Sequence, residues 1–164
     1  MGRAEIARLF DWCDLHTSRW RTLPVTAGFI SRPMYYDRQG FPIGADGSIP
    51  APILWAQLME RPGYQSVALD ELPDGSTLST VWLGLDHAFM GPPLIFETMR
   101  FSGSREVVVM PGSGREVPVR PALPFPVPGG EPDEETEGLR YTTEEEALAA
   151  HHEIRRRLVL RLGS

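Results

Sequence analysis

Residues 79–99 read STVWLGLDHAFMGPPLIFETM and determine the expected fold more than any other stretch of the chain. Two apolar, strand-like runs, 80–86 and 94–101, flank a short loop that holds Asp86, His87, Gly91, Pro92 and Pro93. Two such runs on either side of turn residues are typical of a β-hairpin. An acid and a histidine beside a rigid turn indicate that this hairpin also carries a site.

The pairing of these two runs makes Glu97 unusual. If the loop 87–93 joins paired strands, Asp86 lies opposite Leu94 and Leu83 lies opposite Glu97. Side chains alternate between the faces of a strand, so one face then combines Glu97 with a set of apolar residues: Val81, Leu83, Leu85, Ile95, Met99 and Phe101. A carboxylate on an apolar face needs a partner. Either Glu97 meets an arginine or a histidine, which makes it a candidate site residue, or a bulge turns it outward.

Four side chains are weak candidates for catalysis: Asp86, His87, Glu97 and His151. Asp86 and His87 suit a general acid–base pair or two metal ligands, but they equally suit hydrogen bonds that cap the loop. His151 lies near the apolar face of a C-terminal helix, where a satisfied core histidine is expected rather than a ligand. Because the i, i+4 histidine spacing of a zinc helix is absent, we predict no metal and no cofactor. The predicted binding surface comprises Trp82, Asp86, His87, Pro92 and Pro93.

The rest of the chain predicts an α+β fold, in which a central antiparallel sheet of four to six strands packs against two helices. A short helix is expected over 51–60, a strand over 64–69 and a second hairpin over 105–110 and 115–119. Thr142 or Thr143 caps the terminal helix, and Glu145 or Glu146 completes a capping box. Between these elements a proline-rich insertion at about 118–138 is expected to be extended, because proline fixes φ and lacks an N–H donor.

The sequence divides into two parts at about Met34. Residues 34–164 form the expected single domain, and two interpretations stand for 1–33. One is a docking arm built around Trp12 and Trp20, and the other is an over-long start.

Composition restricts the class of protein. The chain has 164 residues, 16 glycines, 16 prolines and a net charge of −6, which disfavours general binding to nucleic acid phosphates. The single cysteine, Cys13, cannot form an internal disulfide and fits a reducing compartment. No apolar run approaches the length of a membrane span, so no membrane contact is predicted.

Four phrases carry a resemblance to a known family: MYYDRQGFPI at 34–43, STVWLGLDH at 79–87, GPPLIFETM at 91–99 and RYTTEEEALAAHHE at 140–153. Together they resemble a family of small uncharacterised proteins met in bacteriophage and prophage genomes. The match covers about half of the chain and departs from the family pattern over 101–138. The resemblance implies a phage product that acts in the host cytoplasm as an accessory protein.

The leading expectation for function is a non-enzymatic binder of a host or defence protein, of another phage protein, or of a small ligand. Two alternatives remain. One is a small hydrolase-like enzyme, metal-assisted or not, that uses Asp86, His87 and Glu97. The other is a virion or assembly component.

Overall fold

The chain divides into two compact units, 1–32 and 33–164. The computed structural model describes residues 33–88, 90–112, 114–131 and 133–163, all of them in the second unit. The predicted N-terminal arm, with Trp12, Cys13 and Trp20, therefore lies outside the described residues. The elements, in chain order, are α1 (Ala51–Met59), β1 (Ser66–Glu71), β2 (Thr77–Trp82), β3 (Phe96–Phe101), β4 (Glu106–Val109), β5 (Glu116–Val119), β6 (Ala122–Leu123), β7 (Phe125–Pro126), β8 (Glu135–Thr136), β9 (Gly138–Tyr141) and α2 (Glu144–Leu162).

The α+β prediction is confirmed. The main sheet has five strands, in which β1 pairs β2, β2 pairs β3, and the far edge of β3 pairs both β6 and β9. All of these pairs are antiparallel. Two further pairs, β4–β5 and β7–β8, form separate two-stranded sheets.

Local chemistry explains several element boundaries. In the turn between β1 and β2, Asp74 Oδ1 accepts hydrogen bonds from the backbone N–H of Ser76 (3.0 Å) and from its hydroxyl (2.6 Å). Gly75 adopts a φ of +78° there, which glycine tolerates without steric cost. Thr143 caps α2, and Glu146 completes the predicted capping box. Pro50 and the proline in the first turn begin α1 at the predicted position.

The predicted register of the central hairpin is wrong by two residues. Val81, not Leu83, lies opposite Glu97. The first strand is also displaced from the predicted 80–86, because β2 runs from Thr77 to Trp82, and the second is shorter than the predicted 94–101, because β3 begins at Phe96. Gly84 accounts for the early end of β2: its φ is +65°, outside the range of an extended strand. A two-residue shift keeps the same side chains on the same face.

The face of the sheet that α2 covers is the opposite of the one expected to be apolar. Leu78, Thr80 and Trp82 of β2 are buried, as are Phe96 and Thr98 of β3. Residues of α2 complete this core, in two clusters: Ala147 packs with the Trp82 cluster, and Ile154 and Leu158 pack with Leu72, Leu78 and Phe125. The face with Val81, Glu97 and Met99 is only half-buried.

The proline-rich segment is part of the fold. Its short strand β6 pairs with the edge of β3, where proline is tolerated, and Phe125 of β7 is fully buried beneath α2. The guanidinium of Arg157 donates to the carbonyl of Val127 and so joins α2 to this segment. The second predicted hairpin is confirmed as the β4–β5 ribbon.

Candidate functional site

The predicted loop site, residues 86–93, is held by a carboxylate; we call it the Asp86 loop. Asp86 Oδ1 accepts hydrogen bonds from the backbone N–H groups of Ala88 (2.8 Å) and Leu94 (3.2 Å). The backbone N–H of Asp86 donates to the carbonyl of Met34 (2.9 Å). One carboxylate therefore joins both ends of the loop and anchors it beside the first residues of the domain. This is the loop-capping role that the sequence left open for Asp86.

The outer side of the Asp86 loop is exposed and partly apolar. Met90 is 79% exposed, the largest value among the exposed large hydrophobic residues of the described chain. His87 and Pro92 are also exposed, and Met34, at the base of the loop, is 59% exposed. We call these four residues the Met90 surface. Unbranched methionine side chains adapt to different partners and are common at binding surfaces.

Trp82 does not belong to that surface, contrary to the prediction. Its side chain is fully buried and packs edge-on against Tyr64, with ring centroids 5.0 Å apart. A Cβ atom on Gly84 would lie 2.2 Å from the Trp82 ring, so the indole occupies the space of a missing side chain. The indole N–H has no hydrogen-bond partner among the described residues, and Trp82 serves packing. Pro93, also predicted for binding, is half-buried.

Glu97 meets an arginine, which is one of the two outcomes considered for it. Arg140 lies directly opposite on β9, and its Nε donates to Glu97 Oε1 at 2.8 Å. The pair lines an open groove of about 470 Å³, together with Leu94, Met99, Glu137, Gly138 and Leu139. Because Arg140 is substantially exposed, this ion pair contributes little to stability.

His151 is the centre of a polar chain that crosses the sheet beneath α2. Its Nδ1 lies 2.7 Å from Thr80 Oγ1, and its Nε2 lies 3.0 Å from Asp70 Oδ2. Thr80 Oγ1 in turn lies 2.7 Å from Thr98 Oγ1, directly opposite on β3. On the solvent side, Arg155 Nε reaches the second oxygen of Asp70 at 3.0 Å. We call this the Asp70–Thr98 chain.

The donors and acceptors of this chain can be assigned from their chemistry. An ionised Asp70 only accepts, so His151 donates through Nε2, and in the neutral imidazole Nδ1 is then the acceptor. Thr80 therefore donates to His151, and Thr98 donates to Thr80. This order requires a neutral imidazole. Consistently, burial lowers the pKa of His151, although Asp70 acts in the opposite direction, and the hydrogen bond from His151 lowers the pKa of Asp70.

The order hydroxyl, imidazole, carboxylate is also that of a hydrolase triad, but here it is sealed. Thr80 and His151 both have no exposed surface, and Thr98 behind them has none either. A nucleophile must be within reach of its substrate. The chain is therefore a structural device that fixes α2 on the sheet through satisfied buried polar groups. The expectation of a satisfied core histidine at position 151 is confirmed.

The sequence did not identify Asp70, Thr80 and Thr98 as partners of His151. Asp70 is 81 residues away along the chain, and threonines are ordinary strand residues. The available signal was His151 itself, a polar residue on an apolar helix face. Such a residue requires a partner but does not indicate which strand provides it.

The four candidate catalytic residues are distributed over separate environments. Asp86 clamps its loop, the His87 side chain is exposed, Glu97 pairs with Arg140, and His151 bonds to Asp70 and Thr80. Across the described residues of 33–163, no three histidine, cysteine or acidic side chains gather as a metal site. In the same ranges no helix has the length and hydropathy needed to cross a membrane.

Comparisons with known proteins found no match: no family model, no curated protein and no solved structure matches the chain.

Proposed function

We propose that this protein is a non-catalytic binding protein whose contact surface is the Met90 surface of the Asp86 loop. The proposal rests on one observation: the loop is held at its ends by hydrogen bonds, and its tip is exposed. Asp86 fastens the two ends of the loop by hydrogen bonds, while Met90 between them is 79% exposed. A preorganised loop loses less conformational entropy on binding than a flexible one.

The polar groups of the domain support binding rather than catalysis. A catalytic acid or base has to be within hydrogen-bond reach of a substrate and of its helpers. Asp86 is engaged by two backbone N–H groups, and Glu97 is engaged by Arg140 on the half-exposed sheet face. The buried His151 is separated from solvent. The enzyme alternative therefore lacks the convergence of side chains that it requires.

A protein is the partner that we propose, because the Met90 surface projects from the domain as a loop. Small molecules are generally bound in concave pockets. The resemblance to phage proteins makes a host or defence protein, or another phage protein, the proposed partner class, with the host cytoplasm as the place of contact. The net charge of −6 disfavours nucleic acid as the partner.

The test is affinity capture of the tagged full chain from host cells, followed by affinity measurements with each purified captured protein. The variant Met90→Ser removes the most exposed apolar side chain of the loop, and His87→Ala removes another exposed side chain of the Met90 surface. Leu160→Ser is the matched control, since Leu160 is 63% exposed on α2, outside the loop. Burying a methionine contributes about 1.5–3 kcal/mol, so Met90→Ser should weaken binding roughly 10- to 100-fold.

The proposal predicts that Leu160→Ser binds like the wild type and that Met90→Ser does not. Equal affinities for Met90→Ser and the wild type would refute the Met90 surface as the contact. Failure to capture any protein above an untagged control, from cells in which the chain is produced, would refute a host partner.

A further inference from the structure

Among the strands of the described residues, only β4 of the β4–β5 ribbon has every residue exposed. All four residues of β4 are exposed, with Val107 at 62% and Val109 at 57%, and Met110 follows at 47%. These side chains point to both faces of the ribbon, so neither face of β4 is covered. A two-stranded hairpin is marginally stable in water by itself. Its exposed valines therefore require an explanation.

The alternation of hydrogen-bonded and non-hydrogen-bonded residue pairs in the ribbon determines which backbone N–H and C=O groups point outward from its edge. The N–H of Met110 donates to the carbonyl of Arg115 at 2.8 Å, so this pair is a hydrogen-bonded one. In an antiparallel ladder the two pair types alternate, which makes Val108–Val117 hydrogen-bonded and Val107–Pro118 not. Pro118 has no N–H, which agrees with this alternation. The backbone groups of Val107 and Val109 consequently point away from β5.

The two edges of the ribbon differ in their protection. Pro118 lies in the outer edge of β5 and interrupts its row of donors, which is a common way to block strand addition. The outer edge of β4 has no proline, bulge or charge from Val107 to Val109. Within the described residues β4 pairs only with β5. One edge is therefore open and the other is protected.

We propose that the open edge of β4 binds the same edge of a second copy of this chain, antiparallel and around a two-fold axis at Val108. In this register Val107 faces the second copy's Val109 and Val109 faces its Val107. Both are hydrogen-bonded pairs, because their backbone groups all point outward. Val108 faces Val108, and the valines pair only with valines. A register centred on Glu106 would instead oppose two carboxylates, which is destabilising.

This arrangement also forms a closed dimer that cannot add further copies. The dimer would contain a four-stranded sheet in the order β5, β4, β4, β5, with Pro118 on both outer edges. An isologous contact uses the same patch on both copies and leaves no open patch for a third. The unequal edges of the ribbon thus favour a dimer over a fibre.

The test uses charges at the two facing positions of the full chain, with mass measured by sedimentation velocity over a wide concentration range. The wild type should sediment as a particle of twice the 18.3 kDa chain mass. In V107K/V109K each lysine faces a lysine, and this variant should be a monomer. In V107E/V109K each lysine faces a glutamate of the second copy and also lies opposite Glu116 of its own ribbon, and the dimer should return. Far-UV circular dichroism checks that every variant keeps its helices.

A second measurement tests the register by distance. Residues that face each other in a non-hydrogen-bonded pair have Cα atoms about 4.5 Å apart, within the roughly 4.4–6.8 Å range of a disulfide. With Cys13 replaced by serine, V108C should therefore cross-link two chains on mild oxidation. L69C, at another exposed strand position, should not.

A wild-type chain that is monomeric throughout would overturn the proposal, and so would an open-ended polymer. A V107K/V109K chain that remains dimeric would place the interface elsewhere. A V107E/V109K chain that remains monomeric, or a V108C chain that does not cross-link, would overturn the proposed register.

Discussion

Replacing Thr80 by valine tests whether the Asp70–Thr98 chain fixes α2 on the sheet. Valine has nearly the shape of threonine, so the substitution removes a hydroxyl and leaves the packing volume unchanged. That hydroxyl has two contacts, each of 2.7 Å, to His151 Nδ1 and to Thr98 Oγ1. Both of these residues are fully buried, and water cannot replace the lost partner.

The expected loss of stability follows from the two groups left without that partner. A buried donor or acceptor that loses its partner costs about 1–3 kcal/mol, so Thr80→Val, which affects two such groups, should lower the free energy of unfolding by about 2–6 kcal/mol. With a urea m-value of about 2 kcal/mol/M, the unfolding midpoint should fall by roughly 1–3 M. The assay is urea unfolding of the full chain, followed by circular dichroism of the helices.

Three further variants separate the hydroxyl from other effects. Thr80→Ser keeps the hydroxyl and should lose about 1 kcal/mol, the value of one buried methyl group. Ser79→Ala, on the half-exposed face, should stay within about 0.5 kcal/mol of the wild type. The double variant Thr80→Val/Thr98→Val should cost less than the sum of its two single variants, because replacing both partners leaves fewer orphaned groups. A Thr80→Val midpoint equal to that of Thr80→Ser would refute the reasoning.

Two further predictions concern pH and the Trp82 packing. Burial lowers the pKa of His151 below its usual 6.5, so the unfolded chain binds more protons and stability should fall as the pH drops below about 6.5. The lowered pKa of Asp70, whose usual value is 3.8, adds a loss at lower pH still, below about 3.8. The urea midpoint of unfolding should therefore decrease from pH 7.5 to pH 5. A midpoint that does not change with pH would contradict this, and so would a His151→Gln variant whose midpoint falls with pH as steeply as that of the wild type. Gly84→Ala should cost more than about 2 kcal/mol, because the new Cβ would overlap the Trp82 ring at a φ of +65°. Gly75→Ala, at a similar φ in open space, should cost about 1 kcal/mol, and equal melting temperatures for both variants would contradict the packing argument.

Local signals in the sequence predicted the elements that depend on neighbouring residues. The capping box at Thr143 and Glu146 and the first turn of α1 are both at their predicted places. Thr143 and Glu146 satisfy backbone groups a few residues away, and the prolines at the start of α1 fix φ locally, so no distant part of the chain is needed. The antiparallel sheet and its two helices followed from the same kind of pattern.

The partners of the candidate site residues could not be predicted in this way. Both faces of the central hairpin contain apolar residues, and counting them favoured the face with Val81 and Met99. The large side chains Trp82 and Phe96 are buried on the other face, where α2 and the buried Phe125 complete the core. Phe125 comes from a proline-rich segment whose composition indicated an extended excursion. Tertiary packing therefore determined which face is covered.

The sequence by itself determined the α+β class, the starts of the two helices, and the presence of a polar residue on the buried face of the last helix. Only the tertiary structure decided that His151 bonds to Asp70 and Thr80, and that Glu97 pairs with Arg140. It also decided that Asp86 clamps a loop whose Met90 is exposed. The physical reason is the separation of the partners along the chain. Helix caps and turns involve residues close together in the sequence, whereas a buried imidazole can form a hydrogen bond with any suitable group that the folded sheet places within about 3 Å.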